Sequence, residues 1–221
     1  MPLQAFGTVR RAFAGLVNGA DGIPTVDPSG ALVVIDFYAK AVLDGYGFQV
    51  RAGTITTPLV GDVDLTDAAA EWAVDVATGG TLIPIQYDLS IRLGTGTLHE
   101  YAIKSVATAS TAGTVFVPLP LWSAGPAAAL TTARVSAAGG VTVTAELATT
   151  TLRHWSHSNP LAIVTAGGGT QDSHKWQPLR PPRLVGVRSL YGQIAAATTG
   201  PSYYCSLDYL DIPTALITAA G

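Results

Sequence analysis

Apolar and polar residues alternate along parts of this chain, and β-branched and aromatic residues are concentrated in others. Residues 48–55 alternate with a period of two, the pattern of a strand with one buried face. Pro84 predicts an edge or a bulge near the start of another strand. The predicted strands, mostly separated by Gly- and Pro-rich turns, are 32–38, 48–55, 72–76, 82–93, 101–106, 114–117, 131–136, 141–147, 183–194 and 203–210.

Helical patterns are short and few. Residues 3–17 predict an amphipathic helix, with Arg10 and Arg11 toward its polar side. Its apolar side is formed by Leu3, Phe6, Val9, Phe13, Leu16 and Val17. The helix would dock on its own domain or reach a neighbouring subunit, and the sequence leaves both alternatives open. The segments around 67–71 and 39–43 also have helical character.

Many short strands joined by Gly- and Pro-rich turns are typical of a β-sandwich, a jelly roll or a barrel. Strands and helices do not alternate, which argues against a parallel α/β sheet. We therefore predict an all-β fold, a single jelly-roll β-sandwich of about eight to ten antiparallel strands with a short N-terminal helix. The predicted organisation is an arm over 1–30, the sandwich over 31–213 and a tail over 214–221, with an irregular segment at about 156–182.

Composition changes this picture in one respect, the scarcity of charge. Charged residues make up 12% of the 221 residues and hydrophobic residues 48%, and lysine occurs only at Lys40, Lys104 and Lys175. Disordered chains are apolar-poor and highly charged, so disorder is excluded. No stretch gives the roughly 20 apolar residues that a membrane-spanning helix needs. Because exposed sheet edges are usually protected by charge, above all lysine, we predict that copies of the chain cover one another's edges.

The sequence offers little catalytic chemistry, and we predict a non-enzymatic protein without cofactors. It contains no Walker phosphate loop and no Gly-x-Ser-x-Gly nucleophile elbow. The glutamates are Glu71, Glu100 and Glu146, and no pattern brings two of them together. The single cysteine, Cys205, excludes an internal disulfide. Its strand-like surroundings favour a small buried hydrophobe over a reactive thiol.

Two groups of residues raise the question of a metal site. The histidine group is His154, His157 and His174, and the acidic group is Asp62, Asp64 and Asp67. The first two histidines are three residues apart, so on a strand they would point to opposite faces. The acidic group lacks the glycine and the distal glutamate of an EF-hand loop, and a surface turn with a helix cap is the alternative. Metal binding is left open at both places.

A basic segment with one aromatic residue and three prolines spans 175–183. Cations interleaved with aromatic residues occur in proteins that bind single-stranded nucleic acid. The prolines instead favour an extended, polyproline-like connection of the kind that crosses between subunits. We therefore predict weak or absent nucleic-acid contact. The candidate subunit-contact residues are Leu3, Phe6, Arg10, Arg11, Phe13, Trp176, Arg180 and Arg183.

The chain resembles the single jelly-roll capsid proteins of icosahedral, tailless bacteriophage-like viruses. The passages that carry the resemblance are 52–62, 113–121 and 202–213, which are rich in Thr, Ala and Gly and end in an aromatic last strand. The resemblance implies a capsid subunit that self-assembles into an icosahedral shell through capsomer contacts, without catalysis. It implies a location in the virion after assembly in the host cytoplasm, with partners that are copies of the chain or other capsid proteins.

A second hypothesis is a carbohydrate- or receptor-binding β-sandwich module. Such a module would need an exposed aromatic platform, for which Trp122 and Trp176 are the candidates because both have proline-containing, loop-like surroundings.

Overall fold

The computed structural model describes residues 7–8, 21–22, 37–54, 56–63, 68–95, 98–125, 130–144, 149–158, 172–196 and 199–218. The strands are β1 (Gly7–Thr8), β2 (Asp21–Gly22), β3 (Gly47–Ala52), β4 (Leu59–Val60), β5 (Ala69–Ala70), β6 (Trp72–Val76), β7 (Gly80–Thr95), β8 (Leu98–Val106), β9 (Thr111–Ala112), β10 (Thr114–Phe116), β11 (Leu119–Pro120), β12 (Thr131–Val135), β13 (Val141–Thr142), β14 (Thr149–Ser158), β15 (Asp172–Trp176), β16 (Leu184–Val185), β17 (Arg188–Ala196) and β18 (Thr199–Pro213). The helices are α1 (Phe37–Leu43) and α2 (Thr214–Thr218).

Two antiparallel sheets carry the fold, as the sequence predicts for an all-β sandwich. The first sheet has the order β11-β3-β18-β7-β15, with β16 also on β7 and β4 on β18. The second sheet has the order β10-β12-β6-β17-β8-β14. The inner faces of the two sheets supply one shared hydrophobic cluster, from Val50, Leu89 and Leu207 on the first sheet to Val74 and Ile103 on the second. Burial of this cluster between the sheets provides the main stabilisation of the domain.

Eight strands follow a regular pairing rule. Numbered one to eight along the chain, they are β3, β6, β7, β8, β14, β15, β17 and β18. Strand one pairs with eight and three with six in the first sheet, while two pairs with seven and four with five in the second. In every such pair, one strand is therefore as far from the start of the series as its partner is from the end. A long hairpin wound around itself gives this order.

An insertion between β8 and β14, residues 107–148, extends both sheets at the same side of the sandwich. Its strands β10 and β12 lengthen the second sheet beyond β6, and its β11 lengthens the first sheet beyond β3. Its β9 and β13 join β5 in a third, small sheet. Val141 and Val143 of this layer pack on Ala73, Val106 and Tyr191 on the outer face of the second sheet. Both faces of β6 are therefore covered, and all five of its residues are buried.

Large aromatic residues fill one part of the core. Trp72 stacks on Tyr87 with ring centroids 5.4 Å apart, and Tyr87 stacks on Trp155 at 6.4 Å. These rings come from both sheets and lock them face to face. Gly192, opposite Trp72 in the strand register, leaves room for the indole, because a Cβ there would lie 2.1 Å from Trp72 Nε1.

The strand predictions hold over most of the sandwich. Pro84 lies beside a bulge, since the register of β7 against β18 shifts by one residue between Gln86 and Pro84. The tail begins with α2, whose Leu216 and Ile217 pack against the small core cluster beside β18. No helix in the described part of the chain is long and apolar enough to cross a membrane.

Four local predictions are wrong. Ala69–Ala70 form β5 instead of a helix, because they pair with β13. Phe37 and Tyr38 open α1 instead of ending a strand, while 39–43 is helical as expected. Gly7–Thr8 pair antiparallel with Asp21–Gly22 as short strands, where a helix was expected for residues 7 and 8. The rest of the 3–17 segment lies outside the described residues.

The fourth error concerns the segment 156–182, which is not irregular throughout. The strand β14 continues to Ser158, and β15 forms the edge of the first sheet against β7. Ring contacts of His174 with Trp155 and Tyr101, at centroid distances of 5.7 and 4.9 Å, stabilise β15 in this position. His174 thus takes an inward position that the sequence pattern would assign to an apolar residue.

Candidate functional site

An apolar strip runs along the side of the sandwich that carries the insertion. It consists of Val115, Val117, Leu119, Leu121 and Trp122, whose exposed fractions lie between 38% and 68%. The strip passes from β10, the last strand of the second sheet, to β11, the last strand of the first sheet. It therefore follows one of the two sides of the sandwich where the sheets end; β15 and β14 form the other side.

The strip combines two properties of an interaction surface. Residues 111–125 contain no charged residue, so no charge protects this edge from pairing with another chain. The odd-numbered positions from 115 to 121 are all exposed and apolar. Val115 lies opposite Arg134 in the second sheet and Leu119 opposite Gln49 in the first, so the exposed residues pass around the edge of the sandwich. Exposed apolar residues grouped in this way mark contact sites in soluble proteins.

A polar cleft of about 660 Å³ lies on the first sheet. Its floor comes from β3, β18, β7 and β15. One row of residues crosses the four strands: Arg51 pairs with Ser206, Ser206 with Asp88, and Asp88 with Lys175. A neighbouring row places Tyr204, Ser90 and Ser173 side by side. Hydroxyls, two cations and one carboxylate therefore share one surface.

Arg51 is held in place by a relay of side-chain hydrogen bonds. Its Nε donates to Gln49 Oε1 at 2.5 Å. Gln49 Nε2 donates in turn to Asp208 Oδ1 at 2.6 Å. Burial raises the pKa of the Asp208 carboxyl, an effect that the Gln49 hydrogen bond opposes. The relay fixes the plane of the guanidinium and leaves its terminal nitrogens outside these bonds.

A second relay holds the carboxylate of the same row. Gln86 Nε2 donates to Asp88 Oδ2. Gln177 Nε2 donates to Gln86 Oε1 at 2.5 Å. Both charged groups in the middle of the cleft are thus oriented by a glutamine, and each glutamine is itself held by another polar side chain.

Glu71 is the most strongly perturbed acid among the described residues. Its Oε2 accepts the amide of Ile194 at 2.8 Å, and its Oε1 accepts that of Asp62 at 3.2 Å. Burial raises its pKa from 4.5 to about 8, with a contribution in the same direction from the nearby Asp62 charge. The carboxyl ties the 59–63 segment to β17, where Asp62 and Ala195 also form a bridge.

Asp75 forms a second buried node, on the outer face of β6. Its Oδ1 accepts the Ser110 amide at 2.8 Å and the Ser189 hydroxyl. Its Oδ2 accepts the Ser110 hydroxyl at 2.8 Å and Arg134 Nε at 3.2 Å. Arg134 also donates to the carbonyl of Ala112 at 3.3 Å. The carboxylate therefore fastens the start of the insertion to the second sheet.

Cys205 lies between the sheets, as the sequence predicts for a small buried hydrophobe. It is 5% exposed, and burial raises the pKa of its thiol to about 12. Because the thiolate is the reactive form, the native thiol is expected to resist Ellman's reagent at pH 8. The same sample in concentrated urea should release one equivalent of chromophore per chain. Stoichiometric labelling of the native protein would contradict this burial.

The predicted contact residues divide into two groups. Leu3, Phe6, Arg10, Arg11 and Phe13 lie outside the described residues. Trp176 belongs to β15 and is half-buried, packed on the core cluster. It is thus not the exposed aromatic platform that a binding module would need. Arg180 and Arg183 are exposed on the segment after β15, and their role in subunit contacts stays a prediction.

The two candidate metal groups are not assembled in the described part of the chain, where no three His, Cys, Asp or Glu side chains could hold an ion. His154 is exposed, with Nε2 3.8 Å from Glu100 Oε1, whereas His174 points into the core. Asp62 is bound into the Glu71 node. Asp64 and Asp67 lie outside the described residues, and so does the side chain of His157.

Sequence reasoning did not find the polar cleft or the buried carboxylates. The row from Arg51 to Lys175 joins residues more than 120 positions apart, and only the strand register brings them together. A signal existed for Asp75, since it interrupts an otherwise apolar strand at 72–76. A buried charge at such a position requires partners.

No model of a protein family, no curated protein and no solved structure matches this chain.

Proposed function

We propose that the chain is a structural subunit that assembles with copies of itself into a closed shell, and that this shell is an icosahedral virion capsid. The protein would act by subunit contacts and not by catalysis. It would be located in the virion after assembly in the host cytoplasm. The observation that carries the proposal is the apolar strip along the shared edge of both sheets.

The strip supports assembly because an uncharged, apolar sheet edge is unfavourable on a free monomer. Burial of apolar surface gains roughly 25 cal/mol for each Å² removed from water. A neighbouring copy that covers Val117 and Leu119 would remove this exposure and would also close the open edge of β11. Repetition of one such contact around a symmetry axis gives a closed assembly with the edge covered in every subunit.

The strand order supports the capsid part of the proposal. Pairing of one with eight, two with seven, three with six and four with five is the order expected of a jelly roll, the architecture that recurs in capsid proteins and also in lectins and cupins. The scarcity of lysine on the chain agrees with a subunit whose surface is largely covered by neighbours.

Introducing a charge at Val117 is expected to prevent assembly while leaving the subunit folded. Val117 is 68% exposed, so Val117→Asp costs little in the monomer but would bury an unpaired carboxylate in the contact. Light scattering and negative-stain microscopy should show particles for the wild type and only small species for the variant.

The matched control is Val187→Asp, at a valine that is 49% exposed in the turn before β17 and away from the strip. This variant should form the same particles as the wild type. If the wild type is monomeric under all conditions, the assembly proposal is wrong. Loss of particles in both variants would show that the strip is not the specific contact.

A further inference from the structure

The polar cleft differs from an ordinary solvent-facing sheet surface because its central charges are hydrogen-bonded to neighbouring glutamines. A free arginine or aspartate on a strand samples several rotamers, and holding it in one orientation costs side-chain entropy. Here Arg51 is held through Gln49, and Asp88 is held through Gln86. Oriented charges supported by a second layer of hydrogen bonds are characteristic of binding sites.

The two oriented charges have opposite sign but do not neutralise each other. Both pair with Ser206, one on each side, so two strand spacings separate them, about 10 Å between Cα atoms. The ion pairs among the described residues include neither Arg51 nor Asp88. The cleft therefore presents a cation and a carboxylate, each hydrogen-bonded to a glutamine, on two strands about 10 Å apart.

The rest of the lining indicates the chemistry of the ligand. Lys175 adds a second cation beyond Asp88, so two cationic side chains and one carboxylate line the cleft. The Asp208 carboxyl lies in the adjacent row, where it accepts the hydrogen bond from Gln49. Ser90, Ser173 and Ser206 place hydroxyls along the floor, and a hydroxyl both donates and accepts hydrogen bonds. An anion rich in hydroxyl groups is the complement of this arrangement.

We propose that the cleft binds a saccharide that carries a carboxylate. The guanidinium of Arg51 would pair with the sugar carboxylate in the bidentate geometry that arginine favours. Asp88 would accept hydrogen bonds from hydroxyls at the opposite side of the ring, and Lys175 would donate to a ring substituent. A volume of about 660 Å³ falls within the range of ligand sites. The cleft adjoins the apolar strip, since Leu119 lies opposite Gln49 in the strand register. The side chains proposed to bind the sugar, Arg51, Asp88 and Lys175, are not part of the strip.

The test compares D-glucuronic acid with D-glucose, which share a pyranose ring and differ in the carboxylate. Saturation-transfer NMR with the full-length chain should show glucuronate bound about tenfold more tightly, the value of one charge-assisted hydrogen bond. Arg51→Gln should abolish this preference, while Asp88→Asn should weaken both sugars. The control Arg153→Gln, at an exposed arginine of β14 in the other sheet, should behave as the wild type.

Three results would overturn the proposal: no binding of either sugar, equal binding of both by the wild type, or an unchanged preference in Arg51→Gln. Light scattering on the same samples reports particle formation separately. Failure of sugar binding with intact particles would therefore reject the cleft alone, and sugar binding by a protein that stays monomeric would reject the assembly alone.

Discussion

Replacing Asp75 with alanine is expected to lower the free energy of unfolding by about 3–5 kcal/mol, the usual cost of removing one member of a buried ion pair. The substitution leaves Ser110, Ser189 and Arg134 with donors that no longer have an acceptor. Unsatisfied buried donors are costly because they have given up water without replacement. Urea titration followed by tryptophan fluorescence measures the loss, and two protein concentrations separate subunit stability from assembly.

The matched control is Asp44→Ala. Asp44 pairs with Lys40 on the exposed side of α1, and such surface pairs contribute about 0–1 kcal/mol. Asp75→Asn keeps one oxygen acceptor, so its loss in the free energy of unfolding should lie between the losses of the two alanine variants. This variant preserves the comparison if Asp75→Ala fails to fold. Equal losses at Asp75 and Asp44 would contradict the role of the buried node.

Stability is expected to decrease from about pH 4.5 to about pH 8 because of Glu71, whose pKa is raised from 4.5 to about 8 in the fold. The folded state favours the neutral carboxyl, whereas the unfolded chain ionises it at its ordinary pKa. The contribution of Glu71 to stability is therefore complete below the pKa of the unfolded state. It is lost as the pH rises through the pKa of the folded state. Within this window the slope approaches about 1.4 kcal/mol per pH unit.

Glu71→Gln removes the titration and should flatten the pH dependence. The variant loses one of the two acceptors for the Asp62 and Ile194 amides, so it should be less stable than the wild type at pH 5 and approach it near pH 8. The control Glu100→Gln, on a partly exposed side chain, should keep the wild-type slope. A Glu71→Gln variant with an unchanged slope would place the titrating group elsewhere.

The strands were predictable where burial follows the local pattern. Residues 48–52 alternate because one face of β3 meets the core and the other lines the cleft, whereas the predicted strand extended to 55 and β3 ends at Ala52. The segment 72–76 is almost wholly apolar because the insertion covers its outer face. The strand β15 was missed because His174 substitutes for an apolar residue, packed between aromatic rings that come from distant strands. Its local sequence, Asp-Ser-His-Lys-Trp, therefore resembles a loop.

The sites were less predictable than the fold because they depend on register. Arg51, Asp88 and Lys175 form a row only when four strands align within one residue, since a slip by one would turn each side chain to the other face. Glu71 was assigned to a helix by its alanine-rich surroundings. Hydrogen bonding to Asp62 and Ile194 instead holds it at the junction of three segments. Tertiary pairing overrides local propensity at such a position.

The central place of β18 in the first sheet constrains synthesis of the protein. This strand lies between β3 and β7, and it pairs with β7 along nearly its whole length and with β3 over residues 205–210, although about 150 residues separate it from β3 in the chain. A nascent polypeptide cannot close the sheet until residue 213 has left the ribosome, and until then the facing edges of β3 and β7 are open to other chains. Slow translation would therefore favour aggregation, and a chaperone that covers these edges would have its largest effect until β18 has paired.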